Sequence, residues 1–288
     1  MKETAALETA IAAALGRKIR ALRPLSGGSV AAVMLVELDD GARVVAKFGA
    51  KRGGAPLALE GWMLEYLARE TRLPVPAVVS AGDDLLIMEY IESGGVLDAR
   101  CEGHAAALLA ALHDVTAPAF GFERATVIGG LDQPNEWAKS WISFFRDRRL
   151  LFSARAAHGE KAIDAALLSR LEKFAAQLDK FLEEPAAPSL IHGDMWGGNV
   201  LCRNGRIAAF VDPAIYFADA EIELAFATLF STFGDAFFAR YRDLRGLRPG
   251  FFETRRDIYN LYPLLVHVRL FGGHYADAVE RTLARFGF

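Results

Sequence analysis

The pattern of hydrophobic and polar positions changes along the chain, from short apolar runs in the first third to helical periods in the remainder. Residues 4–15 repeat their apolar positions with a helical period, which predicts an amphipathic helix. Two apolar runs follow, Ser29–Leu38 and Arg43–Phe48, and each predicts a strand. Because Asp39-Asp40-Gly41 lies between them, the two strands should form a β-hairpin.

The next segment predicts one helix and two short strands. The helix should span Pro56–Glu70 and end before Pro74, since proline lacks a backbone donor and restricts the residue before it. The apolar runs Ala77–Ser80 and Leu85–Tyr90 predict the strands. A polar stretch with two glycines, Glu92–Gly95, then predicts a lobe boundary.

Beyond this boundary the pattern is mainly helical. It predicts helices over residues 102–114, 135–151 and 160–183. One short β-like segment is predicted over residues 189–213. The chain is therefore predicted to adopt an α+β fold with a small β-rich N-terminal lobe, residues 1–91, and a larger α-rich C-terminal lobe, residues 92–288. A cleft between two such lobes would offer a binding site.

Composition and charge exclude several classes of protein. With 33 Lys and Arg against 36 Asp and Glu, the formal charge of −3 argues against a nucleic-acid binder. No uncharged run approaches the roughly 20 residues that a membrane span requires, and the first residues are too charged for a signal peptide. Cys101 and Cys202 are too few for a disulfide framework or a cysteine-rich zinc site. We therefore expect a cytoplasmic protein that binds neither nucleic acid nor membrane.

The most informative chemistry lies in the β-like segment. Asp194 and Asn199 are separated by four residues, and Asp212 follows the next apolar run. Phosphoryl transfer needs a carboxylate that orients the acceptor hydroxyl and accepts its proton, together with oxygen ligands that hold Mg²⁺ on the phosphates. Because Mg²⁺ prefers hard oxygens and keeps several waters, one amide and one carboxylate suffice. Asp194 is thus the predicted catalytic carboxylate, and Asn199 and Asp212 are the predicted magnesium ligands.

Further parts of a phosphoryl-transfer site precede Asp194 in the sequence, in the expected order. Gly27 and Gly28 lie just before the first predicted strand, where glycines would let backbone N–H groups approach a phosphate. Lys47 is the one charge in the apolar run Val44–Phe48 and is predicted to bind ATP phosphates, held by a glutamate of the following helix. Glu60 is preferred over Glu65 for this contact. Each feature alone has an ordinary structural explanation, such as a turn or a strand-edge lysine, but the ordered set favours a kinase.

The order of these motifs resembles the protein-kinase-like fold, in its aminoglycoside-phosphotransferase branch. Within that branch the chain is similar to the fructosamine (ketosamine) kinase family over about residues 8–278. The central segment is His192–Asn199, with a tryptophan two residues after the aspartate. Other segments that carry the likeness are Val211–Tyr216, Glu221–Ala225, Phe120–Phe122, Ile128-Gly129, Gln133–Trp137, Trp141, Tyr259–Tyr262 and His267.

The resemblance implies an ATP-dependent kinase that uses ATP and Mg²⁺ to phosphorylate a hydroxyl of a ketosamine, a small or protein-bound adduct of a sugar and an amine. It implies that the N-terminal lobe binds ATP, with the backbone of Glu89 and Ile91 at the adenine, and that the C-terminal lobe is catalytic and binds the acceptor. It also implies a supporting rather than catalytic role for His192. Trp196, two residues after Asp194, is predicted to pack against the acceptor, and the resemblance implies that Trp141, Tyr262 and His267 bind it as well.

Two departures from the family pattern leave the acceptor open. The usual Phe-Gly-Gly-Phe is Phe230-Ser231-Thr232-Phe233 here, and the phosphate loop continues as Ser29-Val30-Ala31. Neither change removes a catalytic group. One alternative is another kinase of this fold that acts on an aminoglycoside, an amino alcohol or a thio-sugar, and a second is an inactive nucleotide-binding module. The charged run Arg146–Arg149 is predicted to be a solvated helix face.

Overall fold

A computed structural model describes residues 2–25, 31–49 and 56–288. Its helices are α1 (Lys2–Leu15), α2 (Leu57–Glu70), α3 (Ala99–His113), α4 (Trp141–Phe144), α5 (Leu151–Gly159), α6 (Ala165–Ala175), α7 (Ala220–Leu229), α8 (Asp235–Arg245), α9 (Arg256–Phe271) and α10 (His274–Arg285). Its strands are β1 (Ile19–Pro24), β2 (Ala32–Leu38), β3 (Arg43–Phe48), β4 (Val78–Ala81), β5 (Leu85–Glu89), β6 (Thr126–Ile128), β7 (Leu131–Gln133), β8 (Ser189–Ile191), β9 (Val200–Arg203), β10 (Arg206–Phe210) and β11 (Tyr216–Ala218).

The first five strands form one antiparallel sheet in the order β1-β2-β3-β5-β4. The predicted hairpin is present, with β2 paired to β3 from Ala32 opposite Phe48 to Glu37 opposite Arg43. The part of its first strand predicted to begin at Ser29 lies outside the described residues. Strand β1 is missing from the sequence prediction because two arginines and a closing proline interrupt its apolar pattern, as is common at a sheet edge.

A helix covers each face of this sheet. Because strand side chains alternate between faces, Ala46 of β3 and Ile87 of β5 pack in the cluster that includes α1, whereas Val45 and Leu86 pack in the cluster that includes α2. Lys47 has the same parity as Val45 along β3. Its side chain therefore extends toward α2, where acidic residues can reach it.

The chain from α3 to α10 contributes most of a second, larger hydrophobic core. The helix predicted over 135–151 begins only at Trp141, because the hydroxyl of Ser140 accepts from a backbone N–H and caps it. A π-helical turn then joins α4 to α5. The helix predicted over 160–183 is shortened to α6, which the carboxylate of Asp164 caps in the same way. Local capping thus decides where these helices begin.

Two small antiparallel strand pairs, β8 with β11 and the hairpin of β9 and β10, hold the segment predicted to carry the chemistry. The connection from β5 to α3 lies against this hairpin, where the amide of Gly95 donates to the carbonyl of Cys202 at 2.9 Å. Glu92 of the same connection forms ion pairs with Arg43 of β3 and Arg203 of β9. The sheet and the helical part are therefore joined by polar contacts as well as by the chain.

The two cysteines are free thiols in the core. Cys101 of α3 and Cys202 of β9 contact each other, and burial together with this contact raises the pKa of Cys101 to about 12. In the described part of the chain, no helix is both long enough and apolar enough to cross a membrane.

Helix α2 approaches the sheet closely at Gly61. A Cβ atom at this position would lie 2.6 Å from the Cβ of Ala81 and 3.2 Å from a methyl group of Leu86. We predict that Gly61→Ala lowers the free energy of unfolding by roughly 1–3 kcal/mol, the usual cost of overpacking, even though alanine favours helix by about 1 kcal/mol. Urea denaturation of the two proteins measures the difference.

Gly103 offers a matched control, because it lies inside α3 and an added Cβ would meet no atom within 4 Å. Gly103→Ala should raise the free energy of unfolding by roughly 0.5–1 kcal/mol. If Gly61→Ala stabilised the protein to the same extent, close packing of α2 on the sheet would be disproved.

Candidate active site

The loop between β8 and β9 is held in place by its backbone. Gly193 has a φ of +87°, and a Cβ there would lie 2.1 Å from the carbonyl oxygen of Ala214, so that only glycine fits. The Ala214 amide donates to the His192 carbonyl at 2.7 Å. The Gly193 amide donates to Glu223 Oε1 at 2.7 Å. These contacts fix the backbone immediately before Asp194.

Asp194 and Asn199 are joined at the end of this loop. The side-chain amide of Asn199 donates to the carbonyl of Asp194 and to its Oδ2, both at 2.9 Å. Because Nδ2 is used in this way, Oδ1 is the atom of the amide that remains to accept or to coordinate. The Asn199 carbonyl accepts from the Val211 amide at 3.1 Å, which brings the following residue, Asp212, to the same place.

Asp212 adopts a backbone conformation that few residues take. Its φ is +56°, in the left-handed region that costs a non-glycine residue on the order of 1–3 kcal/mol and that aspartate tolerates better than most. The carboxylate of Asp212 accepts from Lys47 Nζ, although the two residues are far apart in sequence. The strained residue therefore lies where the sheet meets the helical part.

Lys47 links two carboxylates. Its ammonium donates to Glu60 Oε1 at 2.7 Å and to Asp212 Oδ1, and its side chain is only 7% exposed. Burial alone would lower the pKa of Lys47, but the two carboxylates raise it above its ordinary value, so the ammonium stays charged. Glu65 is exposed. The structure thus places Glu60, and not Glu65, on Lys47.

Asp194 has an environment suited to proton transfer. Burial and the neighbouring Asp212 carboxylate raise the pKa of Asp194 to about 7, against the opposing effect of the Asn199 hydrogen bond. A carboxyl group with such a pKa can accept a proton near neutral pH. Burial lowers the pKa of His192, whose Nδ1 accepts from the Asp194 amide at 3.4 Å. His192 therefore contacts the loop backbone.

A pocket of about 540 Å³ opens beside Asp194. Trp196 and His267 both line it. A Cβ at Gly198 would lie 2.3 Å from the Trp196 ring, so the second glycine of Trp-Gly-Gly allows the indole to lie against the backbone. The remaining wall, from α7, α9 and α10, is mostly apolar and includes Phe226, Phe230, Val266, Leu270, Phe271 and Tyr275.

Two residues predicted to bind the acceptor do not reach this pocket. Trp141 has no exposed surface, and its indole N–H donates to the hydroxyl of Tyr259 at 3.0 Å. Tyr262 is buried, and its hydroxyl donates to Gln133 Oε1 at 2.7 Å. The structure contradicts an acceptor contact for either ring, because both are enclosed in the core with their polar atoms already paired.

The predicted nucleotide contacts are only partly visible. Gly27 and Gly28 lie outside the described residues. Glu89 ends β5, and its amide donates to the carbonyl of Ala77 at 2.8 Å, so an adenine contact at Glu89 would have to use its carbonyl. Ile91 follows two residues later, in the connection to α3. The adenine contacts of Glu89 and Ile91 stay predictions.

A buried network that the sequence pattern did not predict lies beneath the loop. Glu223 Oε2 lies 2.8 Å from His113 Nε2, and His113 Nδ1 lies 2.7 Å from the Tyr241 hydroxyl. The side chains of His113 and Glu223 are fully buried. The available signal was the position of two carboxylates, Glu221 and Glu223, inside the mainly apolar helix α7, since a buried carboxylate requires partners.

Arg149 corrects the prediction that Arg146–Arg149 is a solvated helix face. Its side chain is fully buried and donates to Asn135 Oδ1 at 2.5 Å. Gln133, two residues before Asn135, donates to the Ala214 carbonyl at 3.0 Å. The segment around Gln133 therefore braces the loops of the site from behind.

Oxygen atoms of Asn199 and Asp212 form the donor set with which the site could hold a metal. Among the described residues, no three His, Cys, Asp or Glu side chains form a metal-binding group. An amide oxygen and a carboxylate oxygen are hard donors, and they fit Mg²⁺, which keeps several of its waters.

Comparison with known proteins gives an independent view of the chain. The fructosamine kinase family model matches residues 3–286. A protein of Vibrio parahaemolyticus named as a ketoamine kinase is 32% identical over 265 residues, which cover 90% of each chain. A crystal structure from Thermobifida fusca, described as a fructosamine-3-kinase, has a TM-score of 0.84 at 29% identity and covers 97% of this chain and 98% of that one.

A more distant structure shares the fold alone. It is an aminoglycoside phosphotransferase solved with ADP and hygromycin B, with a TM-score of 0.67 at 18% identity, covering 97% of this chain and 96% of that one. The predicted α+β, protein-kinase-like fold and the predicted family are confirmed by the family match and the Thermobifida fusca structure. The chain therefore belongs to the fructosamine kinase family and is an ATP-dependent kinase.

Proposed function

We propose that the protein transfers the γ-phosphoryl group of ATP to a hydroxyl of a ketosamine. The names of its relatives, ketoamine kinase and fructosamine-3-kinase, support this class of acceptor. The observation that carries the proposal is the position of Asp194. Its carboxylate lies at an aromatic pocket on one side and close to the Lys47–Asp212 ion pair on the other.

Asp194 is the proposed proton acceptor. Since the side-chain amide of Asn199 already donates to Oδ2 of Asp194, the acceptor hydroxyl would donate to Oδ1 of Asp194. As the hydroxyl oxygen bonds to the γ-phosphorus, the bond between that phosphorus and the ADP oxygen breaks, and the hydroxyl proton passes to Asp194. The products are the phosphorylated ketosamine and ADP.

Lys47 is the proposed ligand of the ATP phosphates, and Glu60 is the residue that positions it. An ammonium has three N–H donors. Two of them go to Glu60 and Asp212, which leaves one for a phosphate oxygen. Asn199 and Asp212 would hold Mg²⁺, which when bound neutralises charge on the β- and γ-phosphates.

The lobes and the cellular location follow from the same proposal. Residues 1–91, which contain the five-stranded sheet and Lys47, would bind ATP, and residues 92–288, which contain Asp194 and its pocket, would carry out catalysis and bind the acceptor. Trp196 and His267 are the proposed acceptor contacts.

Two free thiols support a reducing compartment such as the cytoplasm.

A panel of acceptors tests the function directly. We predict ADP release with fructosyl-, ribulosyl- or erythrulosyl-amines, with kcat/KM at least about tenfold higher than for free sugars or kanamycin-type aminoglycosides, the difference that one lost contact can make. The pocket disfavours the aminoglycosides because, among the described residues that line it, Asp194 is the one carboxylate, too few for a polycation. Turnover of aminoglycosides without turnover of any ketosamine would refute the proposal.

Substitution of Asp194 separates proton transfer from nucleotide binding. Asp194→Asn keeps the shape of the side chain but cannot accept the proton, so turnover should fall at least about 10²-fold while ATP affinity stays within a few-fold. Steady-state ADP release and calorimetric titration with nucleotide measure the two quantities. Asp179→Asn, at an exposed position in a short turn, is the control. Loss of ATP binding in Asp194→Asn would show that Asp194 has a structural role instead.

Glu223 is a positioning residue that acts through the Gly193 amide. Glu223→Leu leaves that buried N–H without its acceptor, so the loop should shift and kcat should fall roughly ten- to a hundred-fold, as small misplacements of a reacting group do. Glu223→Gln keeps an oxygen for Gly193 and should retain kcat within a few-fold. Equal losses of kcat in the two variants, at equal melting temperatures, would contradict positioning through this contact.

A further inference from the structure

Four side chains form a continuous aromatic surface at the pocket, which we name the aromatic rim: Phe230, His267, Phe271 and Tyr275. His267 lies at its centre. The centroid of the His267 ring is 4.8 Å from that of Phe230, 5.0 Å from that of Tyr275 and 5.5 Å from that of Phe271. The rim comes from α9, α10 and the end of α7, whereas Asp194 and Trp196 come from the loop after β8.

Two side chains of the rim expose apolar surface to solvent. Phe230 is 37% exposed and Phe271 is 51% exposed. Exposed apolar side chains scattered singly over a surface are ordinary, but two that share one pocket form a patch, and patches of this kind mark binding sites. Val96 and Leu244 are also exposed but do not line this pocket.

The rim carries no charge that would select a charged substituent. His267 Nδ1 donates to the Pro263 carbonyl at 2.7 Å, and burial lowers the pKa of His267, so its ring is neutral. Asp194 is the one carboxylate, and Lys and Arg are absent, among the described residues that line the pocket. A carboxylate on the acceptor would therefore lose water without gaining a partner.

The dimensions of the pocket leave room for more than a sugar. Pockets of roughly 300–1,000 Å³ hold drug-sized ligands, and this one has a volume of about 540 Å³. If the reacting hydroxyl lies at Asp194, the sugar fills the end near Trp196. The substituent on the amine then extends toward the rim, and the ammonium of the ketosamine would meet aromatic faces, which attract cations.

We infer that the aromatic rim binds the amine substituent of the acceptor and selects ketosamines whose amine carries an apolar, preferably aromatic, group. The inference rests on the proposed function and specifies the half of the substrate that the reaction itself does not constrain. The discriminating side chains are Phe230 and Phe271, because both are exposed and neither contacts the reacting atoms.

Two adducts of the same sugar test the inference, fructosyl-benzylamine and fructosyl-glycine, with ADP release as the measurement. The wild-type protein should have a kcat/KM at least about tenfold higher for the benzylamine adduct, since burying or losing an apolar group changes kcat/KM by about 10–200-fold. Phe271→Ala should lower kcat/KM for the benzylamine adduct about tenfold, mainly through KM. It should leave kcat/KM for the glycine adduct and the KM for ATP within about twofold, because neither glycine nor ATP presents an apolar group to Phe271.

Leu244→Ala is the matched control, because it removes a comparably exposed apolar side chain outside the pocket, on α8. Its kinetics should equal those of the wild type with both adducts. Equal kcat/KM for the two adducts, or equal losses on both in Phe271→Ala, would overturn the role of the rim and leave the kinase assignment intact. Failure of the wild type to turn over either adduct would overturn the proposed function, and the inference with it.

Discussion

A buried ammonium with two carboxylate partners is the interaction on which the rest of the site depends. Taking an ion out of water costs several kcal/mol even after relaxation, and removing one partner of a buried pair typically costs about 3–5 kcal/mol. Lys47 therefore requires both Glu60 and Asp212, which come from α2 and from the loop after β10. The alternation along β3 and the close approach of α2 at Gly61 are what bring the partners within reach.

The helical part of the protein supplies the second of these partners, the carboxylate of Asp212. Asp212 adopts a left-handed backbone conformation to reach Lys47, and the backbone on either side of it is held by Asn199 and by the approach of Ala214 to Gly193. Glu223 and Gln133 support these two loops from inside the core. Strain at the surface of the site is thus balanced by hydrogen bonds behind it, where water cannot compete.

Local chemistry made part of this structure predictable from sequence. The Asp-Asp-Gly turn, the proline after α2 and the ordered set Lys47, Asp194, Asn199 and Asp212 each depend on a few neighbouring residues. The remaining features depend on packing between distant segments. Nothing adjacent to Arg149 or Trp141 shows that its side chain is buried, and β1 exists because β2 needs a partner. Likewise, the hydrogen bond between the Gly193 amide and Glu223 depends on how α7 packs against the loop after β8.

The two thiols between α3 and β9 have a practical consequence for studying this enzyme. Alkylating reagents attack thiolates, and burial both shields Cys101 and Cys202 and keeps the proton on Cys101. Labelling therefore requires α3 to separate from the hairpin that follows the active-site loop. Since the chain has no other cysteine, the labelling rate of the unmodified protein is a direct gauge of how often this region opens, with and without nucleotide.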